Sequence, residues 1–226
     1  MRRFYRLAEA GAGRDILLDG RPVRTPGRAP LAVPTQALAE AIADEWNAQG
    51  DRIDPRAMPL TGLANAAIDR VAPDPQAFAD GLSAYGESDL LCYRAEGPDK
   101  LAARQSESWD PILAWAQQRY DLVFELAMGV IHMPQPPETI ARLRAAVAAR
   151  DPFQLAGLSP LVTISGSLIV ALALAEGAIS LDIAWAAASL DEQWQAEQWG
   201  EDAEAAAALA NRRRDFAAAA RFLALL

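Results

Sequence analysis

Residues suited to covalent chemistry are scarce in this sequence. There is one histidine, His132, and one cysteine, Cys92. A structural zinc site of four cysteines, or of two cysteines and two histidines, is therefore impossible. No serine lies in a G-x-S-x-G motif, so a Ser–His–Asp triad built on His132 has no support. Cys92 lies among apolar residues, which favours core packing over a role as nucleophile, and a single cysteine excludes an internal disulfide.

Phosphate-binding motifs are also absent. No G-x-x-x-x-G-K-[ST] segment occurs, which argues against ATP binding of the Walker type. Residues 11–13 (GAG) lack the third glycine of the dinucleotide fingerprint and do not follow a strand that leads into a helix. We therefore expect no cofactor.

The remaining candidates for acid–base chemistry are neighbouring carboxylates, above all Asp191 and Glu192. Adjacent residues of a helix point about 100° apart, so these two do not converge on one bond. A carboxylate-dependent hydrolase remains an alternative, and it predicts a concave, desolvated acid site. No spacing of ligands indicates a metal site.

The same two acids belong to the most unusual stretch of the chain, residues 190–200 (LDEQWQAEQWG). In a helix, Asp191 and Gln195 share a polar face, and Trp194 lies on the neighbouring face. Tryptophan is enriched in protein interfaces because it buries a large area with few rotamers lost. We therefore predict a partner-binding site, although an ordinary exposed helix face is a close competitor. Its residues are Asp191, Glu192, Trp194, Gln195 and Trp199.

A second candidate contact is the turn at residues 18–26, which presents Arg21 and Arg24 on a turn rigidified by proline. Arginine forks suit carboxylates and phosphates. Ion pairs within the structure are the competing interpretation for at least one of them.

Charge and composition restrict the class of partner. The chain has 226 residues, of which 52% are hydrophobic and 23% charged, a balance typical of a globular protein. Its formal net charge of −9 disfavours nucleic-acid binding, which needs a basic surface. No Lys or Arg occurs from residue 151 to residue 211, a stretch that carries nine acids. Such asymmetry can steer a partner, or it can mark a solvated acidic face.

The elements that must position these residues change along the chain. Short strands are predicted at residues 4–8, 14–18 and 31–33. Thr35 is predicted to cap a first helix that ends at Gly50, and Thr61 to cap a second. Helices follow at residues 76–85, 98–120, 137–149, 159–175, 180–199 and 201–225, with an extended segment or strand at residues 122–126. Trp185 is expected in the core.

These elements predict an α+β fold. A small mixed N-terminal domain, residues 1–88, precedes a larger, mostly helical domain, residues 89–226. The uncharged stretch from 158 to 175 is interrupted by Ser, Pro, Thr and Gly, so we expect a buried helix rather than a membrane span. No signal peptide or presequence is visible, so we expect a cytoplasmic protein.

Several blocks of this sequence together resemble the Atp-twelve family of ATP synthase assembly factors. They occur in family order over nearly the whole chain. The blocks are residues 4–5 (FY), 17–26 (LLDGRPVRTP), 39–46 (AEAIADEW), 58–61 (MPLT), 89–94 (DLLCYR), Gln105 with 109–111 (WDP), 166–168 (GSL), 190–195 (LDEQWQ) and 199–200 (WG).

The resemblance implies a chaperone, not an enzyme. It implies that the chain, as a monomer, holds the free alpha subunit of the F-type ATP synthase catalytic sector until the beta subunit replaces it. The family's acidic position falls on Asp191, beside Glu192, and its tryptophan of the first long helix falls on Trp46, a packing residue. The absence of a presequence suggests a bacterial member, whereas eukaryotic relatives work in the mitochondrial matrix. An acidic interaction module for another partner is the competing hypothesis.

Overall fold

The N-terminal part of the chain forms a small antiparallel sheet. Its strands are β1 (Ala8–Ala10), β2 (Ile16–Leu18) and β3 (Arg21–Pro22), in the order β1-β2-β3. Asp19 and Gly20 connect β2 to β3 with φ values of 48° and 76°. Two positive φ angles are typical of a tight hairpin turn, and Asp-Gly is a preferred pair there. The computed structural model that shows this describes residues 1–200 and 202–226.

The rest of the fold is mainly helical, and the predicted α+β class is confirmed. One further sheet joins β4 (Tyr93–Arg94) to β5 (Ala127–Met128) in parallel. The helices are α1 (Gln36–Asn47), α2 (Pro59–Ala66), α3 (Pro75–Ser83), α4 (Asp99–Tyr120), α5 (Pro137–Ala148), α6 (Pro152–Ser165), α7 (Leu168–Ala175), α8 (Leu181–Ala188), α9 (Leu190–Trp199) and α10 (Ala203–Ala224).

Of the two predicted helix caps, Thr35 and Thr61, one is confirmed and one is wrong. Thr35 caps α1 as predicted, because its side chain accepts from the Leu38 N–H. The prediction that Thr61 caps the second helix is wrong. The α2 helix begins at Pro59, and the Glu45 carboxylate accepts from the backbone N–H groups of residues 60 and 61 at 2.7 and 2.8 Å. A side chain from α1 thus satisfies the free donors that a cap would otherwise satisfy.

Two predicted helices are each split into two. Gly166, with φ 68°, ends α6, and Ser167 then caps α7 by accepting from the Val170 N–H. Ser189 separates α8 from α9 without capping α9, because its hydroxyl donates back to the Trp185 carbonyl at 2.7 Å. The predicted start at residue 201 lies outside the described residues, and α10 begins at Ala203 behind the side-chain cap of Asp202.

The strand predictions were too long or misplaced. Residues 4–7 are outside β1, and residues 31–33 contribute only one isolated bridge, between Asp15 and Ala32. The segment at 122–126 is irregular, and the strand lies just after it, at β5. The β4–β5 pair joins residues more than thirty positions apart, so local sequence patterns could not locate it.

Three hydrophobic clusters of described residues form the interior. The largest contains Trp109, Leu143 and Phe216 and includes most of α6 and α7, while Trp185 is buried in it as predicted. Two N-terminal clusters accompany it: one surrounds Ile42 and takes in Phe222 from the far end of the chain, and a small one contains Tyr5, Ala8, Leu18 and Ala43. The domain boundary after residue 88 stays a prediction.

The uncharged stretch lies inside the protein. Leu158, Leu161 and Val162 of α6 are fully buried, and so are residues 168–173 of α7. Among the described residues, no helix is both long enough and apolar enough to cross a membrane.

Candidate functional site

The α9 helix carries most of the predicted partner-binding residues, and it is weakly buried. Leu190 is its only buried residue. Within the described part of the chain, three polar contacts connect it to other helices. Gln105 Nε2 donates to Asp191 Oδ1 at 2.8 Å, Arg104 pairs with Glu197 at 2.7 Å, and Arg212 pairs with Glu192 at 3.0 Å. Most of the helix surface is therefore available for contact.

Asp191 is oriented by a buried amide. Gln105 is only 2% exposed, and its Oε1 accepts from the Ala95 N–H at 2.8 Å, which fixes the direction of its amide group. Its Nε2 therefore points at Asp191 Oδ1. Within residues 1–200 and 202–226, Oδ2 of Asp191 accepts no hydrogen bond. One carboxylate oxygen is thus committed to α4, and the other is available.

Asp191 lines a cavity of about 860 Å³, which we call the α9 groove. Its walls are α9, the segment from β4 into α4, and the turn after β5. The lining residues are 93–98, 129–131, Leu90, Leu101, Gln105, Asp191, Trp194, Gln195, Gln198 and Trp199. Apolar side chains of Leu101, Val130, Ile131 and the two tryptophans form much of this surface. The predicted polar and aromatic faces of α9 therefore meet in one groove.

Glu192 points elsewhere. It lines a second cavity of about 440 Å³ between α9 and α10, where it pairs with Arg212. Gln195 and Trp199 border both cavities, and Trp199 is 80% exposed. Because Asp191 and Glu192 face different cavities, they do not form an acid–base pair. The hydrolase alternative predicted a concave, desolvated acid, whereas Asp191 and Glu192 are both only half-buried.

An exposed apolar segment beside the groove was missed by the sequence reasoning. Residues 123–133, which we call the apolar loop, expose large hydrophobic side chains, and Val130 and Ile131 are 97% and 78% exposed. The exposed residues are Val123, Leu126, Met128, Val130, Ile131 and Met133. Six large apolar residues without helical spacing, followed by prolines, were a usable signal. Contiguous exposed apolar surface of this kind marks interaction sites.

The apolar loop is attached mainly through its first part, by the β4–β5 pairing, by the Gly129 N–H, which donates to the Arg94 carbonyl at 2.8 Å, and by Thr139 Oγ1, which donates to the Val123 carbonyl at 2.6 Å. Gln135 exchanges two hydrogen bonds with the Glu125 backbone, at 2.8 and 3.0 Å, and the Tyr93 hydroxyl lies 3.0 Å from His132 Nδ1. In the described part of the chain, the backbone of residues 130–134 makes no hydrogen bond of its own. Residues 130–134 can therefore adapt to a bound surface with little loss of internal bonding.

Arg21 and Arg24 do not join this site. Arg24 Nη1 donates to the Arg28 carbonyl at 2.7 Å, and Arg24 lines a separate cavity near Trp46. Arg21 is exposed and forms no ion pair with any described residue. Their turn is held by Asp19, whose carboxylate accepts from the backbone N–H groups of Leu7 and Arg6 at 2.9 and 3.1 Å. Those backbone hydrogen bonds keep the pKa of Asp19 below its ordinary value.

Trp46, for which a packing role was predicted, lies against the N-terminal sheet. Its ring meets Tyr5 edge to face at 5.5 Å, and the Tyr5 hydroxyl donates to the Trp46 carbonyl at 2.6 Å. It packs against both N-terminal clusters. Its indole Nε1 is buried and has no hydrogen-bond partner in the described structure.

Asp89 is a buried acid that the sequence reasoning did not single out. It accepts from Ser167 Oγ at 2.7 Å, from the Ile169 N–H at 3.0 Å and from the Leu91 N–H at 3.1 Å. Complete burial, opposed by these hydrogen bonds, raises its pKa to about 6. It thereby ties the segment that leads into β4, one wall of the groove, to the start of α7.

Cys92 is buried as predicted, and burial raises the pKa of its thiol to about 12. A thiol that stays protonated at neutral pH is a poor nucleophile. Among the described residues, no three His, Cys, Asp or Glu side chains are grouped as metal ligands.

Comparison with known families gives one match, to the model described as ATP12 chaperone protein. It covers residues 2–117, slightly more than half of the 226 residues. Protein atp12, mitochondrial, of Schizosaccharomyces pombe is 28% identical over 202 residues, which are 83% of this chain and 69% of the yeast protein.

Solved structures extend the likeness to the whole fold. Atp12 from Paracoccus denitrificans is 47% identical, with a TM-score of 0.93 over 99% of this chain and 97% of that one. An aspartate-to-lysine variant of Atp12p from the same organism is 46% identical and also superposes with a TM-score of 0.93, over the same shares of the two chains. The Atu1473 protein of Agrobacterium tumefaciens is 45% identical, with a TM-score of 0.92 over 99% of this chain and 85% of that one.

Proposed function

Because this chain belongs to the ATP12 chaperone family, we propose that its client is the unassembled alpha subunit of the F-type ATP synthase catalytic sector. The family makes the protein a chaperone of ATP synthase assembly and not an enzyme. In the proposed cycle, the chaperone covers the interface of the free alpha subunit until the beta subunit takes its place. It acts as a monomer in the bacterial cytoplasm.

One observation supports this function most directly: the apolar loop lies beside the α9 groove. A subunit that awaits its partner exposes an apolar interface that would otherwise aggregate. The exposed Val130, Ile131 and Trp199 offer matching apolar surface. Asp191, Glu192 and Gln195 add polar groups at the border, where they give orientation rather than bulk affinity.

Client contact is proposed at two places. The principal contact consists of the apolar loop and the residues Asp191, Glu192, Trp194, Gln195 and Trp199 on α9. Arg21 and Arg24, on the N-terminal sheet and the segment after it, are proposed as a separate, peripheral contact. A whole subunit is large enough to touch both surfaces, whereas a short peptide engages only one of them.

The test is co-expression of the tagged chain with the alpha subunit, with and without the beta subunit. We expect the alpha subunit alone to co-purify and added beta subunit to displace it. Asp191→Lys is expected to weaken this capture strongly, whereas the matched charge reversal Asp44→Lys on the exposed face of α1 leaves it unchanged. A wild-type chain that captures no alpha subunit would contradict the proposal.

Thermal melting distinguishes a binding role of Asp191 from a structural one. Loss of Asp191 leaves the buried Gln105 amide without its acceptor, which costs about 1–2 kcal/mol of unfolding free energy. A melting temperature that falls only a few degrees fits a binding role. Unfolding of Asp191→Lys at the assay temperature would instead make the residue structural. Salt-sensitive capture of other basic proteins, without preference for the alpha subunit, would favour the interaction-module alternative.

A further inference from the structure

The charges of the α9 groove are unbalanced. Among the described lining residues, the carboxylates are Glu96 and Asp191, and neither forms an ion pair with a described residue. The one cation among these lining residues is Arg94. Its Nη2 contacts Asp110 at 2.6 Å, and its guanidinium lies 5.0 Å from the ring centroid of the buried Trp109, while its Nη1 is buried without a hydrogen-bond partner in the described structure. An occupant therefore meets two unpaired acids and one guanidinium that is held against Asp110 and Trp109.

The same groove offers flat aromatic and aliphatic surfaces. Trp194 and Trp199 belong to its lining, as do Val130 and Ile131. Indole faces attract guanidinium groups, both through the ring quadrupole and by stacking of flat surfaces. An ammonium group is more strongly hydrated and cannot donate two parallel hydrogen bonds to one carboxylate. The combination of free acids and indoles therefore discriminates between the two kinds of basic side chain.

We propose that the α9 groove binds an arginine side chain of the client that is flanked by apolar residues. The guanidinium donates to the free Oδ2 of Asp191 and to Glu96, and it stacks on a tryptophan of α9. The flanking apolar side chains lie against Val130 and Ile131. A cavity of about 860 Å³ accommodates an arginine together with one or two neighbouring side chains. This assignment rests on the proposed function and specifies which feature of the client is recognised.

The first experiment measures the affinity for the alpha subunit at low and at high salt. The test variant is Asp191→Asn/Glu96→Gln, which removes both charges but keeps the shapes. The matched control is Glu40→Gln/Asp44→Asn, which changes the same residue types at exposed positions of α1, away from the groove.

We expect the test variant to bind about 10-fold or more weakly at low salt, because removing one partner of a close charge pair typically costs at least that much. The control should bind like wild type. High salt should bring wild type close to the test variant. Equal affinity of wild type and test variant, with the alpha subunit still bound, would overturn the arginine site and leave the proposed function intact.

The second experiment does not depend on the alpha subunit. Three short acetylated peptides carry arginine, lysine or glutamine at the centre of a run of leucines, and their binding to the wild-type chain is measured by fluorescence anisotropy. We expect the order arginine, lysine, glutamine, and loss of this preference in Asp191→Asn/Glu96→Gln. Equal binding of all three peptides would overturn the site. A clear arginine preference without any capture of the alpha subunit would leave the site standing and refute the proposed function.

A second copy of this chain is an alternative occupant of the α9 groove, because it could insert an arginine of its own there. Sedimentation of the wild-type chain should show a monomer. A dimer that dissociates in Asp191→Asn/Glu96→Gln would assign the groove to self-association and overturn its assignment to the client.

Discussion

Single polar atoms decide how two of the six tryptophans contribute to stability. Trp109 is fully buried, and its Nε1 donates to the Ala187 carbonyl at 3.0 Å, whereas the buried Nε1 of Trp46 has no partner in the described structure. A buried donor without an acceptor lowers stability by about 1–3 kcal/mol. Tryptophan therefore packs favourably at both positions, but only Trp46 also buries an unpaired N–H group.

We predict that Trp46→Phe lowers the unfolding free energy by no more than about 1 kcal/mol, because losing the unpaired N–H offsets the lost packing volume. Trp46→Ala should lower it by about 2–4 kcal/mol through lost packing. Urea denaturation measures both.

Trp109→Phe is the control, because it leaves the Ala187 carbonyl unpaired and opens a gap in the core. It should cost more than Trp46→Phe. Equal costs at the two positions would show that the indole N–H of Trp46 is satisfied in solution.

Asp89 predicts a pH dependence of stability. Its pKa is raised by burial to about 6, so the folded protein retains a proton that the unfolded chain releases near pH 4. Stability from this group is therefore complete below about pH 4 and is lost as the pH rises towards 6, by about 3 kcal/mol at most.

Asp89→Asn removes that titration and also places an amide against the Ile169 N–H. Urea denaturation between pH 4 and 7 should show that the stability advantage of wild type over this variant shrinks as the pH rises. Parallel pH profiles would rule out a raised pKa at Asp89.

At the scale of elements, the packing of α10 on α6 depends on a glycine. A Cβ added at Gly157 would lie 2.7 Å from Leu223 Cδ2 and 2.8 Å from Leu223 Cγ. Gly157 therefore permits the close approach of α6 and α10, which both contribute buried residues to the interior of the protein.

Gly157→Ala should lower the unfolding free energy by about 1–3 kcal/mol, because the two helices must separate or repack. Gly81→Ala on α3 is the matched control, since a Cβ there meets nothing within 4 Å. It should raise stability by about 0.5–1 kcal/mol, because alanine favours the helix and restricts the unfolded chain. Differential scanning calorimetry of the two variants should give shifts of opposite sign, and a stabilising Gly157→Ala would refute the close-packing argument.

At the scale of the whole molecule, the two ends of the chain share one interior. Phe222 of α10 is fully buried in the N-terminal cluster around Ile42 and stacks on Phe153 at 6.4 Å. The Thr35 hydroxyl donates to the Leu225 carbonyl. Ala67 and Val71, from the first third of the chain, belong to the largest cluster. The last helix, α10, thus completes the hydrophobic core of the N-terminal elements.

We therefore predict that a fragment of residues 1–88 does not fold alone, because it lacks Phe222 and the α6 surface on which α2 packs. Circular dichroism should show little helix and no cooperative melting, in contrast to the intact chain. A fragment that melts cooperatively would instead establish residues 1–88 as an independent domain.

The sequence by itself determined the features that depend on residue type or on near neighbours. The single cysteine, Cys92, and the single histidine, His132, restricted the possible catalytic and metal sites. Thr35 marked the start of the first helix, and Asp-Gly marked a hairpin turn. The family blocks indicated a chaperone. These signals are local, because caps and turns are formed by residues a few positions apart. Part of the site was also predictable, since helical spacing placed Asp191 and Trp194 on adjacent faces of α9.

Only the tertiary structure decided the rest, because contacts distant in sequence leave no local pattern. It separated Asp191 from Glu192 by placing α4 on one side of α9 and α10 on the other. It replaced the predicted cap at Thr61 with the carboxylate of Glu45. It also left the apolar loop exposed. The sequence carried a signal for this segment in its apolar residues before the prolines, but its exposure depends on whether another element covers it.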